Sequence, residues 1–438
     1  MKHLRHVLLL ILGIFIQTIL ACPSPNDSKV ENPLNLHASL VDLWTTTISL
    51  NIVNLDSTEK LCKVRINRND STVFDLIEFF GDTTIIDSTV TPSRFYSYEL
   101  FRVLDGELMD SSIIIDGTTL DTTSHDFSWQ IDRIGLPGSF LNDITIVSSE
   151  NIWAVGLILT DSLVGNAVHW DGVSWRVLQI VNSSELKSIL FFDSDDIWVT
   201  TFGLPIHWDG EKWELFHIQN MGLNVSAGFS MWGYSSDEIY FCGYQGGIVQ
   251  YDGDEFHKMA SPTTIDLLCI DGILNNGDTA PSLVACGFNG SYSPGVLLHK
   301  TGPDDWRALI DQEVNPFGTE SRNLFGSVAF VDAERFLVCV NWGVYLVSLN
   351  STSYSYTAFL GSSGSHIYDL CVTSLRDFII GGESGNLWHY NGLDWRRFTE
   401  LADPNIVFNS VDIKEDNVAA VGVDYGLHGG SVIYRGHR

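Results

Sequence analysis

The sequence predicts an all-β chain, a small two-sheet sandwich followed by a closed ring of seven short sheets. Three observations carry that expectation. First, an apolar run that usually ends in a small residue recurs from Ile152, Ile197, Ile239, Leu283, Phe336, Phe378 and Val418, with starts 45, 42, 44, 53, 42 and 40 residues apart. Second, a tight turn with flanking aromatics follows in most units: HWDGVSW from His169, HWDGEKW from His207, QYDGDEF from Gln250, HYNGLDW from His389, and a looser HKTGPDDW from His299. Third, each unit has room for four strands, here lettered A to D, and the seventh ends at its third. A repeat of roughly 40–50 residues with four strands per unit is the pattern of a β-propeller. The strand missing from the seventh unit has a counterpart at the front. Phe127-Ser128-Trp129-Gln130-Ile131 matches the fourth-strand pattern Val173-Ser174-Trp175-Arg176-Val177. Residues 127–134 are therefore expected beside 431–435, because an open ring would leave an unpaired sheet edge.

Taken in order, residues 1–21 read as an export signal. Lys2 and Arg5 precede the apolar run Val7 to Ile16, the charge-then-apolar layout of a secretory leader. The run ends Ile19-Leu20-Ala21-Cys22, which resembles a bacterial lipoprotein lipobox. That resemblance implies cleavage before Cys22, lipid on Cys22, and a chain tethered to the bacterial envelope on its extracytoplasmic side. A plain signal peptide cut near Ala21, or an uncleaved anchor, is the other reading. Residues 22–33, rich in Pro, Ser, Asn and charge, read as a flexible tether.

Residues 34–120 read as the sandwich. Thr47 to Ile52 alternates polar and apolar as a half-buried strand does, and further strands are expected at Leu61 to Asn67, Thr84 to Val90, Tyr96 to Val103 and Ser112 to Asp116. Asp87-Ser88-Thr89-Val90, then Pro92, Tyr96 and Tyr98, resembles the corner of a fibronectin type III domain, where a tyrosine hydroxyl ties the chain down. An unrelated sandwich of similar size is the alternative. Residues 121–126 form a short connector, and 127–438 the propeller, at about 45 residues per blade. The whole arrangement resembles uncharacterised secreted bacterial propellers that carry a fibronectin-like domain and a lipobox. The fifth unit lacks the Asp-Gly turn and shows only a strand around Tyr345 to Ser348.

The net charge is −30, with two of the positive charges in the leader. So acidic a chain is a poor partner for nucleic acid or for anionic lipid without a covalent anchor. Seven cysteines show no CxxC spacing. Apart from Cys22 they are expected as buried free thiols, with Cys242, Cys286 and Cys339 at one place in successive B strands. His169, His207, His299 and His389 sit in different blades without further ligand residues, so a structural role is expected and no metal or cofactor is implied.

Function is expected in the loops. The A–B and C–D turns are short and repetitive and read as scaffold. The B–C and D–A loops, on the opposite face, vary in length and content, as binding loops on a rigid frame do. Phe202, Tyr244 and Phe288 directly follow strand B in three consecutive blades, and Trp342 and Tyr425 fall close to the same place in two others. Such a rim suits a glycan, an extended peptide or an envelope protein partner; simple covering of the adjacent blade is the competing reading. A propeller glycosidase is the contrasting class. The Asp-Gly-x-x-Trp turn faintly resembles the sialidase Asp-box. However, the position two before the Asp, normally Ser or Thr, is His169, His207 or Gln250, and clustered arginines are missing. No residue is assigned a catalytic role.

Overall fold

The computed structural model describes residues 34–438 except 57–59, 183–184, 276, 279, 290–294, 301, 303–304, 311–324, 350–353, 361 and 428. The leader, Cys22 and the tether lie outside the described residues. The chain divides into two compact units: the first holds the described residues up to Leu43 with Ile48–Asp87 and Phe95–Thr118, and the second holds Thr119–Arg438 together with Trp44–Thr47 and Ser88–Arg94.

The first unit has two facing sheets. One orders Leu36–Leu43, Ile48–Asn54 and Asp82–Asp87; the other orders Ser71–Phe79, Cys62–Arg68, Phe95–Leu104 and Glu107–Thr118. Alternation buries Ile48, Leu50 and Ile52 from one sheet and Cys62, Val64, Ile66, Tyr98 and Leu100 from the other. Two of these seven strands, Leu36–Leu43 and Ser71–Phe79, were not expected from the sequence. Both are irregular. The first slips register between Leu40 and Asp42, and the second carries Leu76 at φ 60, so neither shows an uninterrupted period of two. Tyr98 donates its hydroxyl to Asp87 Oδ2 at 2.8 Å, and Arg68 reaches the same oxygen at 2.6 Å.

Among the described residues the second unit holds seven four-stranded antiparallel sheets, each a meander of consecutive strands except the last. Strand A runs Phe140–Ser148 in sheet I and Ile406–Lys414 in sheet VII, and in between begins at Ile189, Ser230, Cys269, Phe325 and Ile367. Each strand A lies against that of the next sheet, and the seventh lies against the first. In sheet V, strand C is Gly343–Leu349 and strand D is Tyr354–Leu360. Sheet VII takes its fourth strand from the front of the unit: Ser128–Ile134 pairs antiparallel with Ser431–His437, from Ser431 opposite Ile134 to His437 opposite Ser128. The core lies between consecutive sheets. At the junction of VII and I, for example, Ile144, Ile152 and Val168 pack on Ala419, Val421 and Ile433.

Two recurrent motifs now have physical causes. The small residue closing the repeated apolar run is glycine in sheets I, III, IV, VI and VII, within strand B or directly after it, because the chain entering strand A passes directly over it. A Cβ on Gly156, Gly287, Gly382 or Gly422 would lie 1.8–2.2 Å from the carbonyl oxygen of Phe140, Asp266, His366 or Val407. In the Asp-Gly turn only the glycine adopts positive φ, 88° to 95° at Gly172, Gly210, Gly253 and Gly392. The preceding residue acts through its side chain instead. Asp171, Asp209, Asp252 and Asn391 each accept two backbone amides, as Asp171 Oδ1 does from Val173 and Ser174.

Candidate functional site

The meander sends the B–C and D–A loops to one face of the second unit and the A–B and C–D turns to the other. On the first face Phe202 is 49% exposed, Tyr244 37%, Trp342 51% and Tyr425 73%, while Phe288 is half-buried. The five do not form a continuous ring of contacts. Lys187 Nζ sits 5.1 Å over Phe202, Tyr244 packs on Phe229 at 4.2 Å, and Trp342 meets His366 edge-on at 6.1 Å. Among the described residues no ring contact joins two of the five. Phe202, Tyr244 and Trp342 each pack against a neighbour and stay partly exposed, and Tyr425 is mostly exposed.

Tyr244 opens a one-turn helix, Tyr244–Gly246, held at φ 54 by Gln245. The Gln245 amide donates to Asp266 Oδ1 at 2.8 Å, and a Cβ on Gly246 would meet Thr263 O at 2.1 Å. The loop is thereby fixed beside an open cleft of about 540 Å³ lined by Gln219, Tyr244, Gln245, Lys258 and Ser261. Sheet VI repeats the device at Glu383–Gly385 with Ser384 at φ 60, where Tyr368 donates its hydroxyl to Glu383 at 2.9 Å.

The repeated histidines brace strand B. His169 Nε2 pairs with Asn151 Oδ1 and stacks on Trp153; His207 pairs with Asp196 and stacks on Trp198; His299 meets Ser282. Gln250 replaces histidine in sheet III and donates to Glu238. Among the described residues no group of three or more His, Cys, Asp or Glu is arranged to hold a metal. The described cysteines are free thiols, and burial pushes Cys242, Cys286 and Cys339 well above the ordinary thiol range.

Nothing in the sequence reading anticipated the carboxylates of the A strands. Asp143 accepts Ser188 Oγ and the Ile189 amide of sheet II on Oδ2, both at 2.8 Å, and Ser410 Oγ of sheet VII on Oδ1 at 3.0 Å. Asp271 accepts the Phe330 amide, Asp369 the Val411 amide and Asp412 the Ile146 amide, each from the next sheet. Burial pushes all four up, Asp271 and Asp369 to about 7, against the hydrogen bonds that favour the charged form. Their only sequence signal is a lone Asp inside an apolar run.

No family model matches the chain, and no curated protein matches it. Solved structures do resemble it. YCF48 bound to D1 peptide is 15% identical with TM-score 0.53, over 71% of this chain and 95% of that one. YCF48 from Cyanidioschyzon merolae is 14% identical with TM-score 0.52, over 70% and 98%. The WD40 beta propeller domain of Doa1 is 12% identical with TM-score 0.52, over 72% and 98%. At these identities the likeness is one of fold, and the fold it shows is the β-propeller.

Proposed function

We propose that this chain is a lipid-anchored, extracytoplasmic binding scaffold of a bacterial envelope. Cys22 is the lipidated residue, and the first unit is a fibronectin type III-like spacer. The second unit is a seven-bladed propeller whose B–C and D–A face takes an extended peptide segment of a protein partner. The observation that carries the binding reading is the distribution of exposed apolar side chains. Val164, Phe202, Met221, Tyr244, Trp342, Tyr425 and Leu427 are all exposed on that face, while the opposite turns expose only Val173, Tyr234 and Leu393 among the described residues. Rigid loops carrying separated aromatics suit a ligand that touches several blades in turn, because each anchor is already ordered before binding. The likeness to a propeller with a bound peptide supports the same choice.

The test is retention of envelope-derived peptides by the wild type and by a variant with Phe202, Tyr244 and Trp342 all changed to Ala. Retention is expected to fall at least about tenfold, the equivalent of one anchor, with the melting temperature unchanged. Equal retention removes the proposal, and retention of polysaccharide with turnover replaces it with the hydrolase. Lipidation is tested separately. Cys22→Ser is expected to abolish incorporation of labelled fatty acid and release the protein from membranes.

A further inference from the structure

The segment that enters the second unit, 121–127, begins with the six residues 121–126 that read in sequence as a short connector. It is instead fastened to sheet VI. The Thr123 amide donates to Asn391 O at 3.0 Å and its hydroxyl to Arg376 O at 3.0 Å, while Arg438 Nη1 reaches Ser124 O and Arg396 Nη1 reaches His125 O. At the centre of these contacts two imidazoles meet. His125 Nδ1 lies 2.7 Å from His389 Nδ1, His125 Nε2 lies 3.0 Å from Asp394 Oδ1, and His389 Nε2 lies 2.7 Å from Asp377 Oδ1. His389 is fully buried and His125 is 16% exposed.

These distances point to a proton count. Asp377 stays ionised, since hydrogen bonds from His389 and the paired guanidinium of Arg438 outweigh its burial and hold its carboxyl at about 2. A carboxylate only accepts, so His389 Nε2 carries a proton, and so does His125 Nε2 facing Asp394. Between the two Nδ1 atoms one nitrogen must donate and the other accept. Three protons on four ring nitrogens give the pair a single positive charge. With two protons, a lone pair faces a lone pair or a carboxylate. With four, two N–H groups collide at 2.7 Å.

We propose that this imidazole pair is a proton-counted clasp. It holds 121–127 against sheet VI while it carries one proton beyond neutrality, and it opens both when it gains a second and when it loses the shared one. The surrounding groups act on the pair from both sides. Burial is the main cause holding His389 below the ordinary histidine value; Asp377 opposes it, and His125 and Arg438 act against further protonation. On the connector side Asp126 is paired with Arg396; on the sheet side are Asp394, Arg376, Arg396 and Glu400, which also pairs with Arg396; Arg438 reaches Asp416 from just past the last strand. The rings of His389 and Phe127 stand perpendicular with centroids 5.2 Å apart, so Phe127 covers that side of the buried imidazole.

The experiment uses the full chain with nitrogen-labelled histidine, from about pH 4 to about pH 9, a range that brackets an ordinary histidine on both sides. Ring-nitrogen spectra are expected to show three protonated nitrogens on the pair wherever the Thr123 amide is protected. Protection of that amide, divided by its intrinsic exchange rate, is expected to pass through a maximum. It then falls by up to about tenfold per pH unit on either side, the limit for one linked proton. His125→Gln is expected to flatten the profile. Asp394→Asn, at an exposed position, is expected to move the alkaline edge to lower pH while the melting temperature holds. Two neutral imidazoles throughout the protected range, or an unchanged profile in His125→Gln, overturns the proposal.

Discussion

Replacing Asp143 tests whether the ring is held together by its buried carboxylates. Asp143→Ala removes the acceptor for the Ile189 amide, Ser188 Oγ and Ser410 Oγ, two neighbouring sheets at once. A buried amide left without an acceptor costs about 1–3 kcal/mol, and each hydroxyl, free to turn elsewhere, about 1 kcal/mol. Removing a buried charge returns part of its desolvation cost, which brings the expected loss to about 3 kcal/mol. Asp143→Asn keeps one oxygen and the shape. Its amide can donate to the Ser188 hydroxyl but opposes the Ile189 N–H, so about 2 kcal/mol is expected. Urea unfolding followed by tryptophan fluorescence reads both, with the slope unchanged if only the folded state is affected. A surface control, Asp161→Ala, should lie within about 0.5 kcal/mol of the parent. If Asp143→Ala falls in that same range, the carboxylate is not a strap and the reasoning fails.

Two more outcomes follow from the geometry. Asp271 and Asp369 are raised by burial to about 7, so the folded chain binds more protons than the unfolded one between about pH 4 and about pH 7. Their stabilising contribution is fully present below that window and is lost as pH rises through it, by up to about 1.4 kcal/mol per pH unit for each group. Urea midpoints of the parent and of Asp271→Asn with Asp369→Asn should converge at low pH, and the parent should show the steeper decline; a decline of equal slope in both counts against the assignment. Tyr98→Phe removes the hydroxyl bonded to Asp87 and is expected to cost the first unit about 1–2 kcal/mol, with no effect on unfolding of the second. No loss in the first unit would show that Arg68 alone satisfies Asp87.

The repeat was legible because its causes are local. The glycine after strand B, the Asp or Asn before a left-handed glycine, and the aromatic start of strand D each reflect contacts within one sheet or across one turn. The pairing of 127–134 with 431–435 could be expected only because a repeat defines what is missing. The strapping carboxylates were not legible. Asp271 meets Phe330 and Asp369 meets Val411 across sheets, and in sequence each is a polar residue in a half-buried strand. His125 was hidden in a polar run whose partners lie more than 250 residues away. Four of the five rim aromatics are exposed and Phe288 is half-buried; their separation was not legible, since shared position after strand B says nothing of the distance between blades.

The pairing of Ser128–Ile134 with Ser431–His437 has a consequence for how the molecule is made. Those partners are about 300 residues apart, and bringing such distant segments together is slow because chain entropy is lost before any contact compensates. Throughout synthesis of the intervening sheets, the early segment waits without its neighbour and the growing stack has raw edges at both ends. A chaperone that shields unpaired strands is therefore expected to matter most for the nascent chain. Once the circle is sealed, peeling any one sheet requires breaking the junctions on both its sides, so the assembled form should resist proteases far better than its incomplete precursors.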